Sequence, residues 1–429
     1  MKRVMFLAST RAYQTDDFVA AAHRLGIELA LATDRCHVLA ETWPQGALSV
    51  DFRDPDRAAA AIAESARHRP LHGIVPTDEI TAVIAARAAT LLDLPGSPVE
   101  AAVRSGNKLQ FRHQIRAAGL PHPSFCALLR TTHPARVAEE LAQQGMAYPV
   151  VVKPLHLSAS RGVMRADDPD TLADRWIRIS ALLGDPEVAA IDDEAARMVL
   201  VESYIPGREV AFEGILEAGE LHELVIFDKP DPLDGPFFAE TIYVAPHVTR
   251  GDEPRCGKPA ITAAVAAVAR AIGLKNGPLH AELRLAENGP VVLELAARSI
   301  GGLCNRTLRF ATGIALEELI LDHAVGHDVA QKAALVRSRL GSGQAAGVLM
   351  LPVPKHGVLR EIRGIESVRS LPGVCDIAIT ARPGDLVVPL PEGHTYMGFV
   401  FARGDDSAGV TEVLRRADEQ ITFDIAPTL

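Results

Sequence analysis

Between residues 278 and 302 the chain reads PLHAELRLAENGPVVLELAARSIGG. Two short apolar runs, 279–285 and 291–295, flank the turn Glu287-Asn288-Gly289-Pro290, which is how a β-hairpin is written. Each run carries one carboxylate, Glu282 and Glu294, and Arg298 follows four residues after the second. Carboxylates are seldom buried unless something pairs with them. Two of them meeting across a hairpin repel, and a divalent cation between them removes the conflict. Hard oxygen ligands from only two side chains suit Mg²⁺, which completes its shell with water and nucleotide phosphates. The plain alternative is a hairpin whose acids face solvent, with Arg298 pairing with one of them.

The rest of the chain narrows the choice. A length of 429 residues is too great for one small core and implies two to four domains. The net charge of -10, with both signs mixed along the chain, argues against a nucleic-acid partner. The five cysteines, Cys36, Cys126, Cys256, Cys304 and Cys375, are scattered and form no CxxC pair, so neither a zinc site nor a disulfide framework is expected. They read as reduced, buried residues of a cytoplasmic protein. After Lys2 and Arg3 only residues 4–8 are continuously apolar, too short for a secretory leader and suited to a first buried strand. No run approaches the roughly 18 apolar residues that span a bilayer, so no membrane partner is expected.

Residues 4–8, 29–32 and 73–75 are apolar runs separated by helix-like patterns at 17–25, 57–66 and 79–91. That alternation predicts a parallel sheet with helices on its faces, whose strand carboxyl ends meet ligands. The loop Pro76-Thr77-Asp78-Glu79 is therefore a candidate binding edge, although Thr77 or Asp78 is better suited to cap the next helix. No GxGxxG follows these strands, which argues against a dinucleotide site. Pro95-Gly96-Ser97-Pro98 reads as a linker and 105–118 as the helix beyond it, stopped at 119–123. Residues 148–153, YPVVVK, form a strand that ends in a lysine at a proline, followed by the small, hydroxyl-rich turn 158–162. Such a turn wraps N–H groups around phosphate oxygens, although most serine-rich turns bind nothing. Residues 198–210 read strand, turn and strand, with Glu202 and Glu209 at the ends of the turn and Pro206-Gly207 as the reversal. A polar and aromatic segment, 228–243, contains Glu240, and an alanine-rich helix, 260–272, leads into the hairpin. From 314 onward come a helix, a charged stretch at 331–339, strands near 347–351, 376–380 and 396–402, and a last helix at about 408–421. This tail reads as a separate small α+β domain, with Pro383-Gly384-Asp385 and His394 in turns that could close over a site.

In order, Lys108 in GNK, the VVKP strand end with its small-residue turn, VESYIPGREV, and the hairpin with Glu282, Glu294 and Arg298 resemble the ATP-grasp family of carboxylate-amine ligases. The form ELAARSIGG and the tail GDLVVPLPEGHTYMGFVFARG are most similar to the L-amino-acid ligases, which make dipeptides or related amides. The resemblance implies an α/β chain with the ATP-grasp fold: an N-terminal parallel-sheet domain over 1–105, two α+β subdomains gripping ATP over 106–325, and a small C-terminal α+β domain over 326–429. It implies ATP with Mg²⁺ or Mn²⁺ as cofactors, and a carboxylate and an amine, both amino acids or related molecules, as substrates. A homodimer is left open.

The same resemblance assigns roles. Lys108 and Lys153 would hold phosphates, with Ser158, Ser160 and Gly162 in the loop covering them. Glu202, Ser203, Tyr204 and Ile205 would meet the adenine, and Glu209 the ribose. Glu282 and Glu294 would carry the metal. Arg298, with Lys153 and Ser160, would be catalytic. For the substrates, Gly301 and Gly302 would leave room beside the reacting carboxyl, Glu240 would hold an ammonium, and Arg306 or Arg309 a carboxylate. His280, beside the metal strand, reads as a packing or supporting residue. Two departures stand out: Leu157 and Ala159 where the family often has glycine, and Ala296 where many members have a metal-ligating asparagine. Other readings of the resemblance are a purine-pathway-like ligase, a carboxylase, or a non-catalytic nucleotide-binding module.

Overall fold

The computed structural model describes residues 1–9, 12–34, 47–192, 194–251 and 255–428; Cys36 lies outside them. The N-terminal runs form strands Arg3–Leu7, Glu28–Thr33 and Gly73–Pro76, joined by Ala47–Ser49 in an all-parallel sheet. Side chains alternate across a strand, and here both faces are buried. Val4 and Phe6 enter one core with Phe18, while Met5 and Leu7 enter another with Ile62 and Ile84.

A four-stranded antiparallel sheet follows, in the order Phe125–Leu129, Met198–Ser203, Val150–Pro154, Met164–Ala166. Helix Pro169–Gly184 packs on it through Leu172, Trp176 and Ile179. The largest sheet has eight strands: Gly289–Ala296, Gly277–Ala286, Arg208–Glu217, Glu220–Asp228, Ile242–Ala245, Ala345–Pro352, Tyr396–Gly404 and Val374–Ile379. Strands from the tail thus continue the sheet that holds the hairpin. Phe212 points to one face, against Val265 of helix Lys258–Ile272. Its neighbour Ala211 points to the other, in the core shared with Phe6, Tyr243 and Phe399. Because that core draws on the parallel sheet, the hairpin sheet and the tail, it fixes the three relative to one another.

The charged stretch near 331–339 is the helix Ala330–Leu340, and the last helix is Ser407–Gln420. The helix expected over 105–118 is instead two, Val99–Gly106 and Lys108–Ala117. Asn107 breaks them: its backbone is extended (φ -119°, ψ 107°) and its side chain accepts bonds from the N–H groups of Leu109 and Gln110. That cap places Lys108 at the first position of a new helix, facing the cleft. Cys126, Cys256 and Cys304 are buried and, with Cys375, are free thiols. Among the described residues no helix is long and apolar enough to cross a membrane.

Candidate active site

Most of the residues singled out in the sequence meet around a cavity of about 140 Å³, Lys108, Lys153, Glu202, Glu282, Glu294 and Arg298 among them. Lys153 is carried by Val150–Pro154, which pairs antiparallel with Met198–Ser203. Its Nζ lies 2.5 Å from Glu202 Oε2, and Arg112 Nε donates to Glu202 Oε1 at 2.5 Å. The Glu202 side chain is 3% exposed, and both its oxygens are engaged. Glu202 holds Lys153 in place, and the segment it begins offers Ser203, Tyr204 and Ile205 to the cavity. Burial alone would raise the Glu202 pKa, but Arg112 and Lys153 hold it down to about 2. Lys108 Nζ donates to the Leu157 carbonyl at 2.7 Å and lies 3.4 Å from Glu294 Oε2.

The loop 158–162 forms the cavity's cover, with Ser158, Ala159 and Ser160 in its wall. Ala159 and Ser160 have φ of 54° and 56°, and Gly162 has φ of 76°. The left-handed conformation costs a residue with a Cβ roughly 1–2 kcal/mol. The backbone shape that glycine adopts freely is therefore reached here with alanine and serine, against strain. Contacts from the tail hold it: Gly162 N–H donates to the Pro391 carbonyl at 2.8 Å and Arg161 Nε to the Glu392 carbonyl at 2.7 Å.

Glu282 and Glu294 are direct partners across the hairpin, beside a bulge, and so project from the same face. Their side chains are 27% and 30% exposed, and both line the small cavity. This pair of hard, partly open oxygen donors fits a magnesium ion. Ala296 faces His280 across the ladder and adds no oxygen.

Behind Glu282 lies a residue the sequence reading missed. Lys229 Nζ is 2.7 Å from Glu209 Oε1, 2.9 Å from Glu240 Oε1 and 3.2 Å from Glu282 Oε1. Burial alone would depress its pKa, but the three carboxylates outweigh burial and raise it well above the usual lysine value. Glu209 is closed on its other side by Arg284, at 2.8 Å. Burial and the neighbouring acids push the Glu240 pKa up despite Lys229, and its Oε2 has no hydrogen-bond partner among the described residues. A signal for Lys229 was present: IFDKP repeats the apolar run, lysine and proline of VVVKP. Glu213 was also missed. It is buried 2.5 Å from His280 Nδ1, and it helps raise the pKa of that imidazole to about 9 against the effect of burial. His280 also lines the cavity.

A second cavity, of about 470 Å³, adjoins the first and shares Glu240, His280, Glu282 and Arg298 with it. Gly301 and Gly302 line it, as do Tyr13, Tyr243 and Tyr396. Gly302 has φ of 64°, and a Cβ there would meet the Phe399 ring at 2.9 Å. The N-terminal loop does reach this cavity. Asp78 caps its helix in a capping box with Thr81, while Glu79 pairs with Arg298 Nη2 at 2.5 Å. Arg306 is not brought to either cavity: it bonds Asp17 at 2.8 Å and lies 3.4 Å from Asp376. Arg309 lies 3.9 Å from the same Asp17. The expected carboxylate-binding role of these two arginines is therefore corrected, because buried acid from the N-terminal helix already faces them.

Three family models match the chain. Residues 19–96 match an ATP-grasp N-terminal domain, residues 146–307 an ATP-grasp domain, and residues 349–426 the L-amino acid ligase C-terminal domain 2. An uncharacterized protein of Sinorhizobium fredii, y4rH, is 25% identical over 100% of this chain and 84% of its own. Dapdiamide A synthase of Enterobacter agglomerans is 27% identical over 44% of this chain and 38% of its own. The solved L-amino acid ligase of Bacillus licheniformis superposes with a TM-score of 0.80 at 24% identity, covering 99% of both chains. The fold is ATP-grasp.

Proposed function

We propose that this chain, which carries an ATP-grasp domain followed by an L-amino acid ligase C-terminal domain, is an ATP-dependent ligase joining an amino acid to an amine. The observation that carries this reading is the meeting of two cavities at Glu282 and Arg298. The smaller has lysines for phosphates and a loop as cover. The larger, at about 470 Å³, falls in the range of small-molecule sites.

The chemistry follows from what a carboxylate lacks, a leaving group. One of its oxygens attacks the γ-phosphorus of ATP, the bond from that phosphorus to ADP breaks, and an acyl phosphate forms. The amine nitrogen then attacks the acyl carbon, the C–O bond to phosphate breaks, and the nitrogen gives up a proton. Both steps need positioning and positive charge more than a covalent nucleophile. Lys108 and Lys153 hold the phosphate chain, and Arg298, oriented by Glu79, faces the charge that develops between the cavities. Glu282 and Glu294 would hold a magnesium ion, which supplies charge neutralisation on the phosphates. Loop 158–162 keeps water from the acyl phosphate. In the larger cavity Glu240, whose Oε2 has no hydrogen-bond partner among the described residues, would receive an ammonium, and the tyrosines favour a side chain larger than that of alanine.

The test is incubation with ATP, Mg²⁺ and pools of amino acids, reading phosphate release and product mass. Amino-acid-dependent ADP and phosphate, with a product at the mass of an amide, are expected. AMP as product overturns the acyl-phosphate route, and nucleotide binding without turnover on any pool overturns the ligase reading.

A further inference from the structure

The side-chain oxygens of Glu209, Glu240 and Glu282 converge to within 4.8 Å of one another, close enough for one divalent cation to be held by all three. The chain places an ammonium in that space. Lys229, its side chain 2% exposed, bonds all three carboxylates and lies 4.9 Å from the centroid of the Tyr243 ring. With every group ionised, the three carboxylates face three cations: Lys229, Arg284 and His280, whose Nε2 lies 3.7 Å from Glu282 Oε1. A divalent ion could enter only by displacing the lysine from a pocket where its charge is already satisfied.

Glu282 divides the two halves of the site. Its Oε1 takes Lys229 on the buried side, while its register partner Glu294 faces the open cavity with Lys108. The alanine at 296 withholds a further oxygen on that open side. We infer that Lys229 is a built-in monovalent cation occupying the three-carboxylate cage, so that the site takes one divalent ion, between Glu282 and Glu294, where the cage would otherwise admit a second. Lys229 is thus a positioning residue: it sets where the open oxygen of Glu282 points and how many ions share it. This rests on the reading of Glu282 and Glu294 as the metal pair.

The experiment counts bound Mn²⁺ per chain by equilibrium dialysis and electron paramagnetic resonance, with the β,γ-imido analogue of ATP present. One ion is expected in the wild type and in Lys229→Arg, and two in Lys229→Met, where the cage has lost its ammonium. Two ions in the wild type, or one in folded Lys229→Met, overturns the inference and leaves the metal pair standing. No analogue-dependent Mn²⁺ in the wild type overturns the metal pair and the inference with it. If Lys229→Met does not fold, Lys229→Gln, which keeps a donor but no charge, is counted in its place, with the same two outcomes.

Discussion

The hairpin that carries Glu282 and Glu294 and the loop 158–162 wall the same small cavity, but the first is held by a strand ladder and the second by contacts from the far end of the chain. In the hairpin, backbone pairing sets which residues face which. Glu282 meets Glu294 because the register runs from Ala286 opposite Gly289 to His280 opposite Ala296. In the loop no ladder acts. Ala159 and Ser160 sit in the left-handed region, and the turn around Glu392 bonds Arg161 and Gly162. Under the proposed function the difference would separate two tasks: groups that hold still lie on strands, and a cover that opens and closes is held by bonds few enough to break.

The sharpest way to break this comparison is Glu294→Ala. If the hairpin acid acts in the chemistry, turnover falls by about a thousandfold or more, the scale of losing a principal electrostatic contact in a transition state. Its side chain is 30% exposed and paired with Lys108, so the thermal midpoint stays close to wild type. A large loss of stability with modest loss of turnover would make Glu294 a structural residue and dissolve the distinction.

Next in size is the group that joins the two walls. Lys153 ends a strand and precedes the loop, and the buried Glu202 with Arg112 holds it. Removing one member of such a buried set leaves uncompensated charge, at a cost of about 3–5 kcal/mol. Glu202→Gln is expected to lower stability on that scale and to change its pH dependence. The pKa of Glu202 falls from 4.5 to about 2 on folding. The contribution of this carboxylate is therefore full above about pH 4.5 and lost as pH falls toward 2. Denaturant midpoints measured through that window should slope less in Glu202→Gln than in wild type; equal slopes would mean that Glu202 is not the group linked to acid loss.

These assemblies also mark where sequence was informative. The parallel sheet and the hairpin were legible, because local alternation and turn chemistry encode strands and their ends. Even the opposition of Glu282 and Glu294 follows from a short hairpin. What was not legible depends on partners distant in the chain. The pairing of Glu202 with Arg112, 90 residues away, is one such case. Arg306 looked free until Asp17, 289 residues away, faced it. Lys229 collects three acids from three different strands or segments, and no window of sequence contains them together. The tail read as a separate small domain because its strand pattern is self-contained, whereas membership in an eight-stranded sheet is a property of the assembled edge.

The smallest expected effect tests the loop directly. The Glu392 carboxylate is gripped by two nitrogens of Arg178, and its carbonyl accepts from Arg161. Both side chains of that ion pair are more than a third exposed, so the pair is worth no more than about 1 kcal/mol, or roughly fivefold in an equilibrium. Glu392→Ala keeps the backbone carbonyl and loses the grip of Arg178. Loop 158–162 should then close less completely. The KM for ATP is expected to rise by about two- to fivefold, with kcat and thermal midpoint nearly unchanged. The ratio of phosphate released to amide formed should rise as well, because an acyl phosphate under a looser cover meets water. Arg178→Ala removes the same bond from the other side and should give the same pattern, and the double variant should add little to either. If KM and that ratio stay at wild-type values in all three, the tail does not hold the cover, and the loop keeps its shape through its own backbone alone.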